Sequence, residues 1–245
     1  MFARGVHITL TNCDITAEAA VHDALHALTS PSLPPIKGIL HTGVTFSDTS
    51  FDKLTHAQWT VGLSAKVTGT KNLHTVSLRY QLALDLFVMT SSYEAVVALP
   101  TQAAYCAANN FQDAFARYHC PVRPPACALA FGLITDIGVG QQDVVSKMIA
   151  GNGLHGIGES RFLRLLEAAF WEQPETTTSW AHFDPLAAAQ ITTRLDPSKL
   201  AKEARKRQDA QMPPWRSDRK FAHINRANYT SSVVPASPRF VKSPL

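Results

Sequence analysis

Four short runs, Val6 to Thr11, Ile36 to His41, Leu84 to Thr90 and Ala126 to Phe131, are rich in β-branched and aliphatic residues. They lack the alternation of a half-exposed strand, so each predicts a strand buried on both faces. Between them, in Ala17 to Leu28, Leu54 to Tyr80 and Gln102 to His119, apolar residues recur every three or four positions, the period of a helix with one buried face. Strands alternating with helices predict an α/β fold with a doubly wound parallel sheet. Beyond Phe131 the pattern loosens. A helix over Gln141 to Ile149, the glycine-rich GNGLHGIG and an amphipathic helix over Ser160 to Phe170 read as a lid region over 138–170. Residues 1–180 then form the main domain. A strand near Gln190 to Leu195, a basic helix and a linker occupy 181–226, and 227–245 read as a disordered tail.

Composition narrows the class without deciding the chemistry. A hydrophobic share of 45% in 245 residues is enough for one ordinary core with appendages. Neither a signal-peptide core nor an apolar stretch of the ~18 residues a spanning helix needs is present, so a cytoplasmic location with no membrane partner is the expectation. Cys13, Cys106, Cys120 and Cys127 form no Cys-x-x-Cys pair and are too sparse for a disulfide framework or a zinc site, so no metal is expected. Residues 199–226 hold nine Lys or Arg against three Asp or Glu. Their helix-like spacing favours a solvated helix, and no nucleic-acid partner is expected.

The most informative stretch is LDLFVMTSSYEAVVALPTQAAYCAANNFQDAF, residues 84 to 115. Ser92 falls just past the end of a predicted strand, where open α/β sheets bind their ligands. Tyr105 follows at the start of a helix, and Asn109 lies one turn further along the same helix face. A hydroxyl, a phenol and an amide so arranged suit reduction of a carbonyl, although Tyr and Asn four apart on a helix are more often surface or packing residues.

The run Ser91-Ser92, Gln102, Ala104-Tyr105-Cys106-Ala107-Ala108-Asn109, Phe111 and Asp113-Ala114 resembles the motif of polyketide synthase ketoreductases, which have the short-chain dehydrogenase fold. IKGILHTGVTFSDTSFDKLTHAQW is similar to the segment after that family's fourth strand, AKVTGTKNLH to its lysine-bearing helix, and NCDIT to the end of its third strand. HTGV and GESRFLRLLEAAF look fungal, of the highly reducing synthases. The resemblance implies catalytic residues Tyr105, Ser92, Lys66 and Asn109. Tyr105 would give the proton, Ser92 would hold the carbonyl oxygen, and the Lys66 cation would favour ionisation of the phenol. Asn109 would position Lys66 or a relay water, and Lys71 stands nearby as a rival to Lys66. A longer loop around Leu78 to Leu82 is expected between this lysine and Ser92. The resemblance also implies NADPH as cofactor, met in part by Asp14, Ile15, His41, Thr42 and Gly43. It further implies a polyketide intermediate borne by an acyl carrier protein as partner.

Gly151, Gly153 and Gly156 match the dinucleotide fingerprint in spacing, yet the residues before them read as helix where that fingerprint needs a strand. They are expected to be a lid or turn feature. Aligning NCDIT with the end of the third strand leaves no room ahead of it for the first strands and their glycine-rich turn. A competing expectation follows, that the chain is a non-catalytic remnant, or a fragment completed by other synthase modules or by a protein that supplies those strands.

Overall fold

The computed structural model describes residues 7–97, 100–119, 126–137, 156–171 and 190–192. They divide between two compact units. The first, through Phe131 and resuming at Leu163, holds the sheet. In chain order it comprises α1 (Glu18–Leu28), β1 (Gly38–His41), α2 (His56–Leu63), a π turn (Ser64–Thr68), α3 (Gly69–Arg79), β2 (Leu86–Ser92), α4 (Glu94–Val97), α5 (Ala103–His119) and β3 (Ala126–Phe131). It also takes in most of α6 (Glu159–Trp171) and β4 (Gln190–Thr192). Among the described residues the four strands are parallel, in the order β1-β2-β3-β4, without the reversal that marks a switch point. This arrangement is α/β and corresponds to one side of a doubly wound sheet.

Three of the four predicted runs form strands, and the strand expected near Gln190 to Leu195 is β4. The run Val6 to Thr11 is not one: residues 7–11 are irregular, and Leu10 is almost wholly exposed. A strand needs a neighbour for its N–H and C=O groups, and among the described residues β1 pairs only with β2. β2 and β3 are buried as expected, but β1 is not: of its four residues only His41 is buried, and Leu40 is exposed. Phe87 and Met89 of β2 stand beside Ala126 and Ala128 of β3 and pack against Phe115 and Ala116 of α5. A second cluster joins Val21 and Leu25 of α1 to Val76 of α3.

The single helix predicted over Leu54 to Tyr80 is broken. A capping box between Thr55 and Gln58 starts α2, with the Gln58 amide donating to Thr55 Oγ1 at 3.3 Å and the Thr55 amide to Gln58 Oε1 at 3.0 Å. The π turn then inserts one wide turn before α3, a device common at functional sites. Helix α3 ends at the expected loop, where Gln81 takes a left-handed conformation with φ 50°. Helix α5 follows its predicted span closely, and α6 covers the amphipathic segment.

The second unit contributes residues 132–137 and 156–162. There Ile134 and Ile157 form a parallel bridge, and the Glu159 amide donates to Asp136 Oδ1 at 2.7 Å. Gly156 lies so close to Thr135 that a side chain there would collide with it. Gly151, Gly153, the helix expected over Gln141 to Ile149, the basic segment and the tail lie outside the described residues.

Candidate active site

β2 delivers Ser92 to its C-terminal end, and the hydroxyl accepts the Glu94 amide hydrogen at 3.2 Å as the chain turns into α4. Ser91, one residue earlier and on the opposite face, donates to the Asn109 carbonyl at 3.4 Å, tying β2 to α5. Tyr105 lies in the first turn of α5, and Asn109 follows one turn on, fully buried, with Nδ2 donating to the Tyr105 carbonyl at 2.8 Å. The Phe46 ring lies 5.3 Å from that of Tyr105. Burial pushes the phenol up to about 12; side-chain hydrogen bonding to Ser92 draws it down, Glu94 raises it, Asn109 lowers it and Cys106 raises it. Ser92, Tyr105 and Asn109 therefore lie together at the end of β2 and the start of α5. Tyr105 keeps its proton at neutral pH.

Lys66 sits in the π turn, buried, with Nζ donating to the Thr90 carbonyl at 2.5 Å and to Gln112 Oε1 at 3.1 Å. Burial lowers its pKa to about 8, with Asp113 opposing the shift. Lys71 is exposed, its Nζ 5.6 Å from the centre of the Phe111 ring. Lys66 is thus the lysine that reaches the core between β2 and α5. Its hydrogen bonds tie it to the backbone and to Gln112, and the charges that bear on the Tyr105 phenol are those of Glu94 and then Cys106.

Of the five residues expected at the cofactor, Ile15, His41 and Gly43 lie together beside the π turn. His41 ends β1, with Nε2 donating to the Ala65 carbonyl at 3.2 Å and Nδ1 accepting from the Gly43 amide at 3.2 Å. Burial, then the Lys66 charge, lowers its pKa to about 4, against the bond to Ala65, so it is a neutral ring. The side chain of Ile15 fits between Gly43 and Gly69: a Cβ at either glycine would stand 2.7 Å from Ile15 Cδ1. Asn72 Nδ2 fixes the Ile15 carbonyl at 2.9 Å. Asp14 is exposed and accepts from the Thr16 amide and hydroxyl at 2.9 and 2.8 Å, which hold its carboxyl below the usual range. Thr42, between His41 and Gly43, is exposed.

Sequence reasoning missed Glu94, Phe46 and Gln112. The available signal was an acid isolated in the apolar stretch LFVMTSSYEAVVAL, which lies two residues past the strand-end serine.

A family model described as the KR domain matches residues 1–136, more than half of the chain. The chain belongs to the polyketide synthase KR-domain family. Relatives of this KR domain include prosolanapyrone synthase from Alternaria solani, 39% identical over 240 residues, which span 91% of this chain and 9% of that protein. The highly reducing polyketide synthase xilA from Penicillium crustosum is 37% identical over 234 residues, spanning 93% of this chain and 9% of the relative. The chain thus spans about a tenth of the length of these synthases. Among solved structures, the A-type ketoreductases from a modular polyketide synthase superpose with a TM-score of 0.68 at 25% identity, over 82% of this chain and 39% of theirs. The first ketoreductase of the tylosin synthase gives 0.62 at 25%, over 83% and 44%. The KR assignment and the Rossmann-like fold expected from the sequence are both met. No described helix is long and apolar enough to cross a membrane.

Proposed function

We propose that this KR domain reduces a β-keto thioester, carried by an acyl carrier protein, to the β-hydroxy thioester, with NADPH as reductant, within a synthase of polyketide secondary metabolism. The observation that carries the reading is the convergence of Ser92, Tyr105 and Asn109 at the C-terminal end of β2. NADPH, when bound, supplies the hydride to the carbonyl carbon. The Asp14 carboxylate is an acceptor suited to an adenine amine, and Thr42 and the 41–43 backbone suit the nucleoside. Nothing in that set offers positive charge to a phosphate, since Asp14 is an anion and His41 is neutral. The residues present therefore fit the nucleoside portion of the cofactor.

Within this reading, Ser92 donates a hydrogen bond to the carbonyl oxygen and steadies the negative charge that develops there. Tyr105 then gives that oxygen its proton. A phenol held near 12 is protonated at neutral pH and yields its proton only to a stronger base, which the nascent alkoxide is. Asn109 fixes the first turn of α5, and with it the position of the phenol.

A second reading, a non-catalytic fragment, is favoured by one observation: Lys66 is committed to Thr90 and Gln112, while the charges bearing on Tyr105 are those of Glu94 and Cys106. Oxidation of NADPH by the purified chain with a model β-keto thioester, alongside calorimetric titration of NADPH, separates the two. Saturable binding with turnover supports the reductase. Its absence supports the fragment.

A further inference from the structure

After β1, residues 43–48 alternate in exposure: Val44, Phe46 and Asp48 are exposed, whereas Gly43, Thr45 and Ser47 are half-buried. That period puts the three exposed side chains on one side of the segment. Two hydrogen bonds pin the segment to the turn that leads into α5. The Thr49 amide donates to the Thr101 carbonyl at 2.9 Å, and Gln102 Nε2 donates to Asp48 Oδ2 at 3.3 Å. Gly62 of α2 closes the same junction, since a Cβ there would stand 2.7 Å from Ala104 Cβ and 3.4 Å from Ser47 Cβ. So held, the segment sets Phe46 beside the phenol, with the Phe46 and Tyr105 ring centres 5.3 Å apart and their planes tilted by 35°. Contact with Tyr105 covers only part of that ring. Phe46 remains 49% exposed and Val44 42%, so an anchored apolar surface stands open next to the reacting hydroxyl.

We propose that Phe46 is a specificity-determining residue, which selects β-keto thioesters whose carbon chain beyond the ketone is long and apolar. The inference deepens the reductase reading and rests on it, because it takes the place of the carbonyl from Ser92 and Tyr105. With the carbonyl oxygen at those two hydroxyls, the chain beyond the ketone crosses the open face of Phe46 toward Val44. Apolar walls of this kind gain by removing methylenes from water. The other end of the stripe is unsuited to such a chain, since Asp48 is a charged, hydrated group there. It also repels a chain that ends in a carboxylate. Complete burial of a methylene strengthens binding about four-fold, and a wall that covers one side about two-fold. Each two-carbon extension should therefore tighten binding roughly four-fold.

The products of the proposed reaction serve as ligands for the full chain. N-acetylcysteamine thioesters of β-hydroxybutyrate, β-hydroxyhexanoate and β-hydroxyoctanoate are titrated in turn, with binding read by calorimetry and contact by NMR of labelled phenylalanine rings. The parent is expected to bind them more tightly as the chain lengthens, with the ring signals of Phe46 shifting on saturation. Phe46→Ala should reduce the gain per extension to less than about two-fold, and Phe46→Leu should keep most of it. The β-hydroxyadipyl thioester, with its terminal carboxylate, should bind more weakly than the β-hydroxyhexanoyl one, and Asp48→Asn should narrow that gap. Affinities that ignore chain length in the parent overturn the proposal whether or not any variant folds. An equal dependence in Phe46→Ala also overturns it, and either result leaves Ser92 and Tyr105 in their roles. If none of the thioesters binds, or if Tyr105→Phe reduces a β-keto thioester at the parent's rate, the reductase reading fails and takes this inference with it.

Discussion

Tyr105 and Ser92 can be separated by single substitutions, because one is assigned the proton and the other the charge. Tyr105→Phe removes only a hydroxyl from a ring that also packs against Phe46. Reduction of a β-keto thioester is expected to fall by ~10² to 10⁴-fold with NADPH affinity nearly unchanged, as read by initial rates and calorimetry. Ser92→Ala should cost ~10²-fold or more in kcat, the usual loss for a donor aimed at an oxyanion. These residues were legible because their placement is local: a strand end and two positions one turn apart on a helix hold wherever the helix docks. The surroundings of Lys66 were not legible. Helical periodicity cannot reveal a π turn, and the turn decides that its ammonium meets Thr90 and Gln112. Glu94 escaped for a related reason, since its character comes from burial and from Asp48, which lies 46 positions earlier.

At the scale of elements, the Asp14–Thr16 turn, the end of β1 and the start of α3 meet at the side chain of Ile15. Ile15 Cδ1 is flanked by Gly43 and Gly69, so yielding to a new methyl group on one side drives it toward the other. Gly69→Ala is expected to destabilise the chain by ~1–3 kcal/mol, the usual range for overpacking. Adding Ile15→Val, which deletes the obstructing Cδ1, should recover most of that loss. Urea denaturation of the parent, both single variants and the double variant would show the coupling as non-additivity. Thr101 makes the opposite case. A β-branched residue at φ 69° is strained, and its carbonyl still accepts the Thr49 amide at 2.9 Å. Thr101→Gly keeps that carbonyl and relieves the strain, so the urea midpoint should rise. Neither feature is written in hydrophobic periodicity. The predicted helix over Leu54 to Tyr80 ran across the π turn, and the run Val6 to Thr11 has the residues of a strand without a neighbour to pair with.

For the whole molecule, buried ionisable groups set how stability follows pH. His41 titrates near 4 when folded against 6.5 for the free side chain, so between those values the unfolded chain binds more protons. Stability is expected to fall as pH drops through that window. Glu94 works in the other sense: raised from 4.5 to about 7, it is protonated in the folded chain and ionised in the unfolded one, so its contribution is lost as pH rises from 4.5 to 7. His41→Asn should flatten the acid side of the profile and Glu94→Gln the neutral side, as followed by urea midpoints from pH 4 to 8. The broad architecture was readable from the sequence because sheets of this kind need continuous apolar strands, and β2 and β3 are buried on both faces.

The order β1-β2-β3-β4 bears on how the chain reaches its structure as well as on what it holds in place. Each neighbour in the sheet is also the next strand in sequence, but the spans between them are unequal. β1 to β2 and β2 to β3 are bridged by 44 and 33 residues, whereas β3 to β4 requires 58. Closing a longer loop costs more entropy, though only slowly with length, and β4 repays it with just three paired residues, Gln190 to Thr192. Assembly should therefore start from β1, β2 and β3 with their crossing helices, and β4 should join last and leave first. In native-state hydrogen exchange, amides of Phe87 to Thr90 should open only with global unfolding, while those of β4 exchange through cheaper local opening.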